Sequence, residues 1–188
     1  MKKLILVLFA LLISSPVLGA PSLPKDIKGN WVLQSSKITY TIKHMLKTAE
    51  GTTTEAKGKG QCDAKSQCTF LVAVPVKTFD SGNSNRDLHM LEVVKGATFP
   101  MVVAHVTVTG FDSANSQLPA TAKVDFAGQS HDVKMDPVHL VMKSDQLAET
   151  DLVLPISLTQ FGVERPSLLT MPIEDTVAIH IQATWQKQ

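Results

Sequence analysis

The chain is poor in aromatic residues (seven Phe, two Trp and one Tyr among 188), and its charge is nearly balanced, 18 Lys and Arg against 17 Asp and Glu. Nucleic-acid binding needs a cationic stripe and rings on which bases can stack, so that class of partner is set aside. The sequence has no CxxC or CxxCH, no HExxH, no GxSxG and no glycine-rich phosphate loop. It therefore carries no signature of covalent haem, a zinc protease, an α/β-hydrolase nucleophile or a nucleotide cradle. The longest apolar run, "LILVLFALLI", is about ten residues, well short of the roughly twenty that span a bilayer as a helix.

That run has a meaning of its own. "MKK" precedes it and the small-residue stretch "SSPVLGA" follows, the pattern of a secretory signal peptide over residues 1–20. No cysteine follows it, so a lipoprotein anchor is not expected. Residues 21–188 then form one domain, sent to the periplasm or secreted. Loss of Lys2 and Lys3 leaves 16 basic against 17 acidic residues, a net charge of −1. Cys62 and Cys68 stand close together in "QCDAKSQC", between two strand-like runs. In an oxidising compartment they are expected to pair and staple a hairpin tip; the spacing and the lack of an adjacent histidine argue against a metal site.

The dominant period is two. Ile38, Tyr40, Ile42 and His44 share one face of "KITYTIKHM"; Phe70, Val72, Val74 and Val76 align in the next apolar run. Val102 to Val108, Ala122 to Phe126, Leu152 to Leu158 (with Leu154 and Ile156) and Val177 to Trp185 repeat the alternation. Such runs are strands with one wet and one apolar face. Stretches such as "EGTTTEAKGKG", "DSGNSN" and "KSDQLAE" read as turns. Near Pro137 the apolar parity shifts, which predicts a bulge or an edge. Leu88, Leu91 and Val94 recur at helical spacing, predicting a short helix over about 86–95. The expectation is an all-β fold: an extended eight-stranded antiparallel barrel, lipocalin-like, with one short helix, because closure removes exposed edges.

Few residues point to chemistry. In "NRDLH", Arg86 and Asp87 can fix a crossover loop, Asp87 or Asn85 can cap the helix, and His89 can lie half-exposed on it. Alternatively Arg86 or His89 meets a polar ligand head at a cavity mouth, where a guanidinium fork suits phosphate or carboxylate. An Asp–His catalytic pair is the third reading, but no nucleophile or oxyanion turn accompanies it. His44, inward by parity, is either a hydrogen-bonded core residue or a donor to a ligand. His105 and His180 face outward by parity, and six scattered histidines without a paired carboxylate make a weak metal case. The inward set is β-branched and aromatic, so the barrel is either filled by its own side chains or holds one long apolar molecule.

Four stretches, in order, resemble one family. "NWVLQSSKITYTIKH" is similar to the opening of YceI-like proteins, "FDSGNSNRDLHM" to their central signature, "FPMVVAHVTVTG" to their Pro-led strand, and "LPISLTQFGVERPSL" to their Phe-Gly turn. The resemblance implies a periplasmic lipocalin-like barrel that binds polyisoprenoids, quinone-like lipids or other long amphiphiles. It makes Arg86, Asp87 and His89 the family's Arg-Asp-x-His and Phe161-Gly162 its later turn. Three features depart from the family pattern: Ser35 stands where a histidine often precedes the serine, here Ser36; the segment from His89 to Pro100 has Glu92, Val93 and Val94 in place of paired aromatics; and the cysteine pair is not general.

The ligand set expected from parity and resemblance together is Ile38, Tyr40, Ile42, His44, Phe70, Val72, Val74, Arg86, His89, Phe126, Leu154, Ile156 and Phe161, with Asp87 and Gly162 structural. The function expected is that of a non-enzymatic carrier or sequestering protein for an isoprenoid, quinone or fatty-acid-like lipid, with no cofactor besides that isoprenoid or quinone-like ligand and with transient contact to a membrane or membrane protein; the sequence sets no oligomeric state and allows a dimer. The competing expectation is a filled barrel acting as an interaction or stress module.

Overall fold

The computed structural model describes residues 27–111, 116–168 and 170–188. The signal-like segment 1–20 lies outside the described residues. The chain runs β1 (Gly29–His44), β2 (Lys47–Thr53), β3 (Lys57–Cys62), β4 (Cys68–Pro75), a 3-10 turn (Val76–Thr78), α1 (Ser84–Val93), β5 (Met101–Val108), β6 (Gln117–Leu118), β7 (Ala120–Phe126), β8 (Gln129–Val133), β9 (Val138–Ser144), β10 (Leu147–Ser157), β11 (Ser167–Leu168), β12 (Met171–Pro172) and β13 (Thr176–Lys187). Apart from the β11–β12 hairpin, the strands form one antiparallel sheet in the order β6-β9-β10-β13-β1-β3-β4-β5-β7-β8, with β2 also on β1. The sheet is strongly curled into a half-barrel around an apolar interior, as the alternating pattern requires.

β1 organises the sheet. Its 16 residues reach about 50 Å at roughly 3.3 Å per residue. β13 pairs along one side from Trp31 to Thr41, β3 takes the other side at Gly29–Val32, and β2 takes it from Ile38 to His44. A register shift between Leu33 and Ser35 changes which parity faces inward. Trp31 and Leu33 precede it on the inner face, and Ser36, Ile38, Tyr40 and Ile42 follow it.

β2 and β3 were not expected, because "EGTTTEAKGKG" reads as a turn. Its glycines are the reason. Gly51 lies opposite Tyr40 and Gly60 opposite Phe70, both on the inner face. A Cβ on Gly51 would stand 2.5 Å from the Tyr40 ring; one on Gly60 would sink into Phe70. The missing side chains let neighbouring rings lie flat on these strands.

The sheet has an open seam. β8 and β9 are consecutive in sequence but do not pair, and β8 and β6 are the sheet's two ends. Residues 134–137, including Pro137, form an irregular link between them. The structure thus puts Pro137 in neither a bulge nor an edge strand but in this link, next to the sheet edge formed by β8, and the curl is closed there by side chains and single contacts. Gln160 Nε2, just after β10, donates to the Asp132 carbonyl of β8 (3.4 Å).

One end of the half-barrel is plugged. Trp31 is buried and donates its indole N–H to the Ile27 carbonyl (2.9 Å). Beside it the Cys62–Cys68 disulfide closes the β3–β4 hairpin, whose turn is ordered by Asp63 Oδ1 accepting from the amides of Lys65 and Gln67 (2.7 and 3.0 Å). The bridge closes only a short loop, so replacing both cysteines by Ser should cost about 2–3 kcal/mol at most. Denaturant titration should find that loss with ligand binding unchanged; lost binding at equal folding would contradict a purely structural bridge.

The geometry of the inner cavity

The inward rows enclose a cavity of about 190 Å³. Every strand of the main sheet with a long apolar row contributes, and Val76, Phe79, Met90 and Val94 close over the end where β4 leads into α1. Ile38, Tyr40, Ile42, Phe70, Val72, Val74, Phe126, Leu154 and Ile156 all line it. Leu33, Ser36, Thr150, Trp185 and Met90 also line it. The first two lie on or beyond the β1 register shift, a feature with no mark in the hydrophobic pattern.

The lining is almost all carbon. Ser36, Tyr40 and Thr150 alone bring hydroxyls to it, and no Lys, Arg or His lines it among the described residues. Thr150 Oγ1 accepts from Trp185 Nε1 (3.2 Å). Ser36 Oγ and Tyr40 OH are buried and neither makes a hydrogen bond of good geometry, although the Ser81 hydroxyl is close enough to act on Tyr40. Burial, followed by the nearby Asp87 carboxylate, raises the Tyr40 pKa above its ordinary value of 10.0, more than Ser81 and Arg86 lower it. Tyr40 is therefore a neutral O–H donor at any physiological pH. An orphaned buried hydroxyl costs about 1–3 kcal/mol, so two of them on residues that line one apolar cavity are the least expected feature of the interior.

The Arg-Asp-x-His segment is not in the cavity. Asn83 caps α1, its side chain accepting from the Arg86 amide (3.0 Å). The helix start thus falls two residues before the expected 86, with Asn83 as cap rather than Asn85 or Asp87. Arg86 turns back on the preceding loop, donating from Nε to Ser81 Oγ (2.8 Å) and from Nη2 to the Ser81 carbonyl (2.6 Å). Asp87 grips the same residue, accepting from the Ser81 amide (3.2 and 3.3 Å) and hydroxyl. Asp80, next in the loop, pairs with Thr52 of β2 through both backbone groups (2.8 and 3.0 Å). The pair therefore clamps the crossover, which is the architectural reading. His89 is exposed on α1 beside Glu92 (3.5 Å).

Arg86→Ala should destabilise by about 2–3 kcal/mol, since it removes two hydrogen bonds from a charged donor. Binding of anionic and neutral ligands should change together; a loss confined to anionic ligands would place the guanidinium at a ligand head instead.

Two further expected ligand residues also lie elsewhere. His44 sits at the end of β1, where Nε2 is 3.2 Å from the Met171 carbonyl and Nδ1 accepts from the Leu46 amide (3.1 Å). Phe161 is fully buried behind Phe126, ring centroids 5.6 Å apart, and stacks edge-on with His131 at 5.0 Å. Gly162, at φ +63°, supplies the left-handed position of that turn. On the outer face His180 Nε2 lies 2.8 Å from Asp151 Oδ1, and His105 Nε2 lies 3.7 Å from Asp125. These two histidines thus do have carboxylate neighbours, across strands where sequence spacing cannot show them. Burial raises the Asp151 pKa, but hydrogen bonds from His180 and Gln182 outweigh it and hold the carboxyl below its ordinary value. No group of three or more potential metal ligands occurs among the described residues.

The model of the YceI-like domain matches residues 31–185, which spans both the cavity and the clamp. The chain belongs to the YceI-like family. Solved structures agree on the YceI-like fold. BcnA of Burkholderia cenocepacia is 21% identical with a TM-score of 0.67, covering 79% of this chain and 95% of its own. A polyisoprenoid binding domain from Saccharophagus degradans, implicated in plant cell wall breakdown, is 13% identical with a TM-score of 0.62, covering 84% and 98%. The Campylobacter jejuni YCEI protein is 18% identical with a TM-score of 0.61, covering 78% and 90%. No curated protein matches the chain. At these identities the likeness is one of fold, and the site of this YceI-like protein is read from its own side chains.

Proposed function

We propose that the protein is a non-enzymatic carrier or sequestering protein that holds one long, mainly apolar molecule bearing a neutral oxygen, in the periplasm or outside the cell. The observation that carries this reading is the carbon-lined cavity with two unpartnered hydroxyls, Ser36 and Tyr40. A pure hydrocarbon would leave both unsatisfied. A charged head would be buried with no cation to meet it, at a cost of several kcal/mol. A quinone carbonyl, a prenol hydroxyl, an ester or an amide accepts from either group. The Saccharophagus relative described as polyisoprenoid binding supports an isoprenoid chain, and the signal-like residues 1–20 support export.

The volume sets a condition. At about 190 Å³ the cavity is smaller than the roughly 300–1,000 Å³ of typical ligand pockets. A long ligand enters by displacing flexible lining side chains, Met90 and Met135 among them, or by parting the unpaired β8–β9 seam. The same small volume favours the second reading, a filled module without ligand.

Ser36→Ala and Tyr40→Phe test the assignment through opposite effects. Each removes an orphaned hydroxyl, so the emptied protein should become more stable. Each should also weaken a short-chain prenyl quinone by about 0.5–1.5 kcal/mol, while the matching hydrocarbon is unaffected. Fluorescence of Trp185, on the cavity wall, reports both titrations. Unchanged quinone affinity in both variants would remove the hydroxyls from the site.

A further inference from the structure

The geometry points to the β1–β2 turn as a membrane-docking finger that seats on an anionic lipid surface. His44 and Lys47 are the last paired residues of this hairpin, so its loop is two residues long, Met45 and Leu46. Two-residue hairpin loops favour Asn, Asp and Gly, which suit the tight backbone and face water. Here the same positions hold two large apolar side chains, exposed by 81% and 57%. Nothing in the fold uses them. Neither residue takes a positive φ, so the backbone does not require Gly or Asn here; what is out of place is two large apolar side chains left in water side by side with no packing gain.

Placement supports the reading. Beyond Thr41, β1 leaves the β13 ladder and pairs with β2, while Glu174 and Met171 still reach Lys43 and His44 on the other side; the two-residue loop lies past the last of these contacts. The tip lies at the end opposite the Trp31–disulfide plug, because β1 and β4 run the same way from that plug and β1 continues several residues beyond the level at which β4 ends. Leu88 of α1, Phe99 and Met101 are at that same end and are also exposed, by 61%, 37% and 38%. Phe99 lies by Gly128 of the β7–β8 turn, so these three form a separate apolar rim on the same side of the sheet rather than part of the tip itself.

Charge selects the partner. "KHMLK", residues 43–47, flanks the two apolar residues with exposed Lys43 and Lys47 and holds no acid. The nearest acid on the hairpin, Glu50, is opposite Thr41, three residue pairs behind the turn, and accepts from its hydroxyl (3.2 Å). Glu174 follows the β11–β12 hairpin, its amide donating to the Lys43 carbonyl (2.9 Å). Two apolar side chains between two cations match a leaflet in which anionic headgroups cover hydrocarbon. The proposal deepens the carrier reading by naming the surface on which a lipid would be exchanged, at the end that α1 covers.

The test uses the purified exported protein and vesicles of phosphatidylcholine with or without phosphatidylglycerol, separated by flotation. The expected result is binding to the phosphatidylglycerol vesicles that falls as salt rises. Met45→Ser with Leu46→Ser should weaken it by about tenfold or more, and Lys43→Gln with Lys47→Gln should remove the preference for the anionic lipid. Both double variants should keep the wild-type melting temperature and the wild-type affinity for a soluble prenyl quinone, since neither touches the cavity. No binding to anionic vesicles, or binding unchanged in the Met45/Leu46 variant, overturns the proposal. A dimer that is lost in the Met45/Leu46 variant while vesicles are ignored overturns it too, by making a second copy the occupant. Vesicle binding by a protein that takes up no quinone would leave the finger standing and remove the carrier reading.

Discussion

Val74→Trp should abolish lipid retention while the half-barrel stays folded. Val74 is buried on β4, opposite Val102 of β5, and faces the cavity. An indole there extends into space that a bound chain would occupy. If that space is available, the larger ring fills it and the melting temperature stays near wild type. If the interior is already filled by its own side chains, the same change overpacks it and costs about 1–3 kcal/mol or more. Melting temperature and co-purified lipid, measured on the same samples, separate the outcomes. Lost lipid at near-normal stability supports a carrier. Lost stability, with no lipid in the wild type either, supports the filled module.

Phe161→Ala should have the largest effect on stability, about 3–5 kcal/mol, which is about a fifth or more of the total in a domain of ordinary stability. Its ring is fully buried in the turn after β10, and its neighbours are Phe126 at the end of β7 and His131 on β8. It therefore bridges the seam where no backbone ladder joins β8 to β9 or β10. Backbone hydrogen bonds hold the turn itself, Phe161 and Val163 both donating to the Leu158 carbonyl (3.2 and 2.9 Å). The turn can persist in the variant while the seam loses its filling. Hydrogen exchange should accelerate first in β8 and β7. A variant with wild-type stability and weakened ligand binding would instead make Phe161 a ligand contact.

The parts of this fold that could be read from the sequence are those where one residue's neighbours decide its face. Alternation placed Ile38, Val72, Leu154 and Ile179 correctly because a strand with one wet face must alternate. It failed at β2 and β3, where Gly51 and Gly60 occupy inward positions and the packing volume comes from Tyr40 and Phe70 on the adjacent strands. No local pattern records a side chain supplied by a neighbour. The β1 register shift hid Leu33, since parity counted from Ile38 puts it on the wet face; Ser36 keeps the Ile38 parity, but a serine at the end of an apolar row looks like the row's limit. The central Arg-Asp-x-His was visible as a cluster. Its role was not, since the partner of both charged groups is Ser81, a small loop residue that any polar turn might contain. His180 and Asp151 are 29 residues apart in sequence and 2.8 Å apart in space, a pairing set by the register of β10 on β13.

Whether the curled sheet carries a ligand is tested most directly by purifying the protein without detergent, then weighing it under native conditions and after organic extraction. The expected result is one lipid per chain, apolar over most of its length and bearing a neutral oxygen, present in the wild type and missing from Val74→Trp. A native mass equal to the bare polypeptide, with no lipid in the extract and no uptake of prenyl quinone afterwards, would contradict the carrier function.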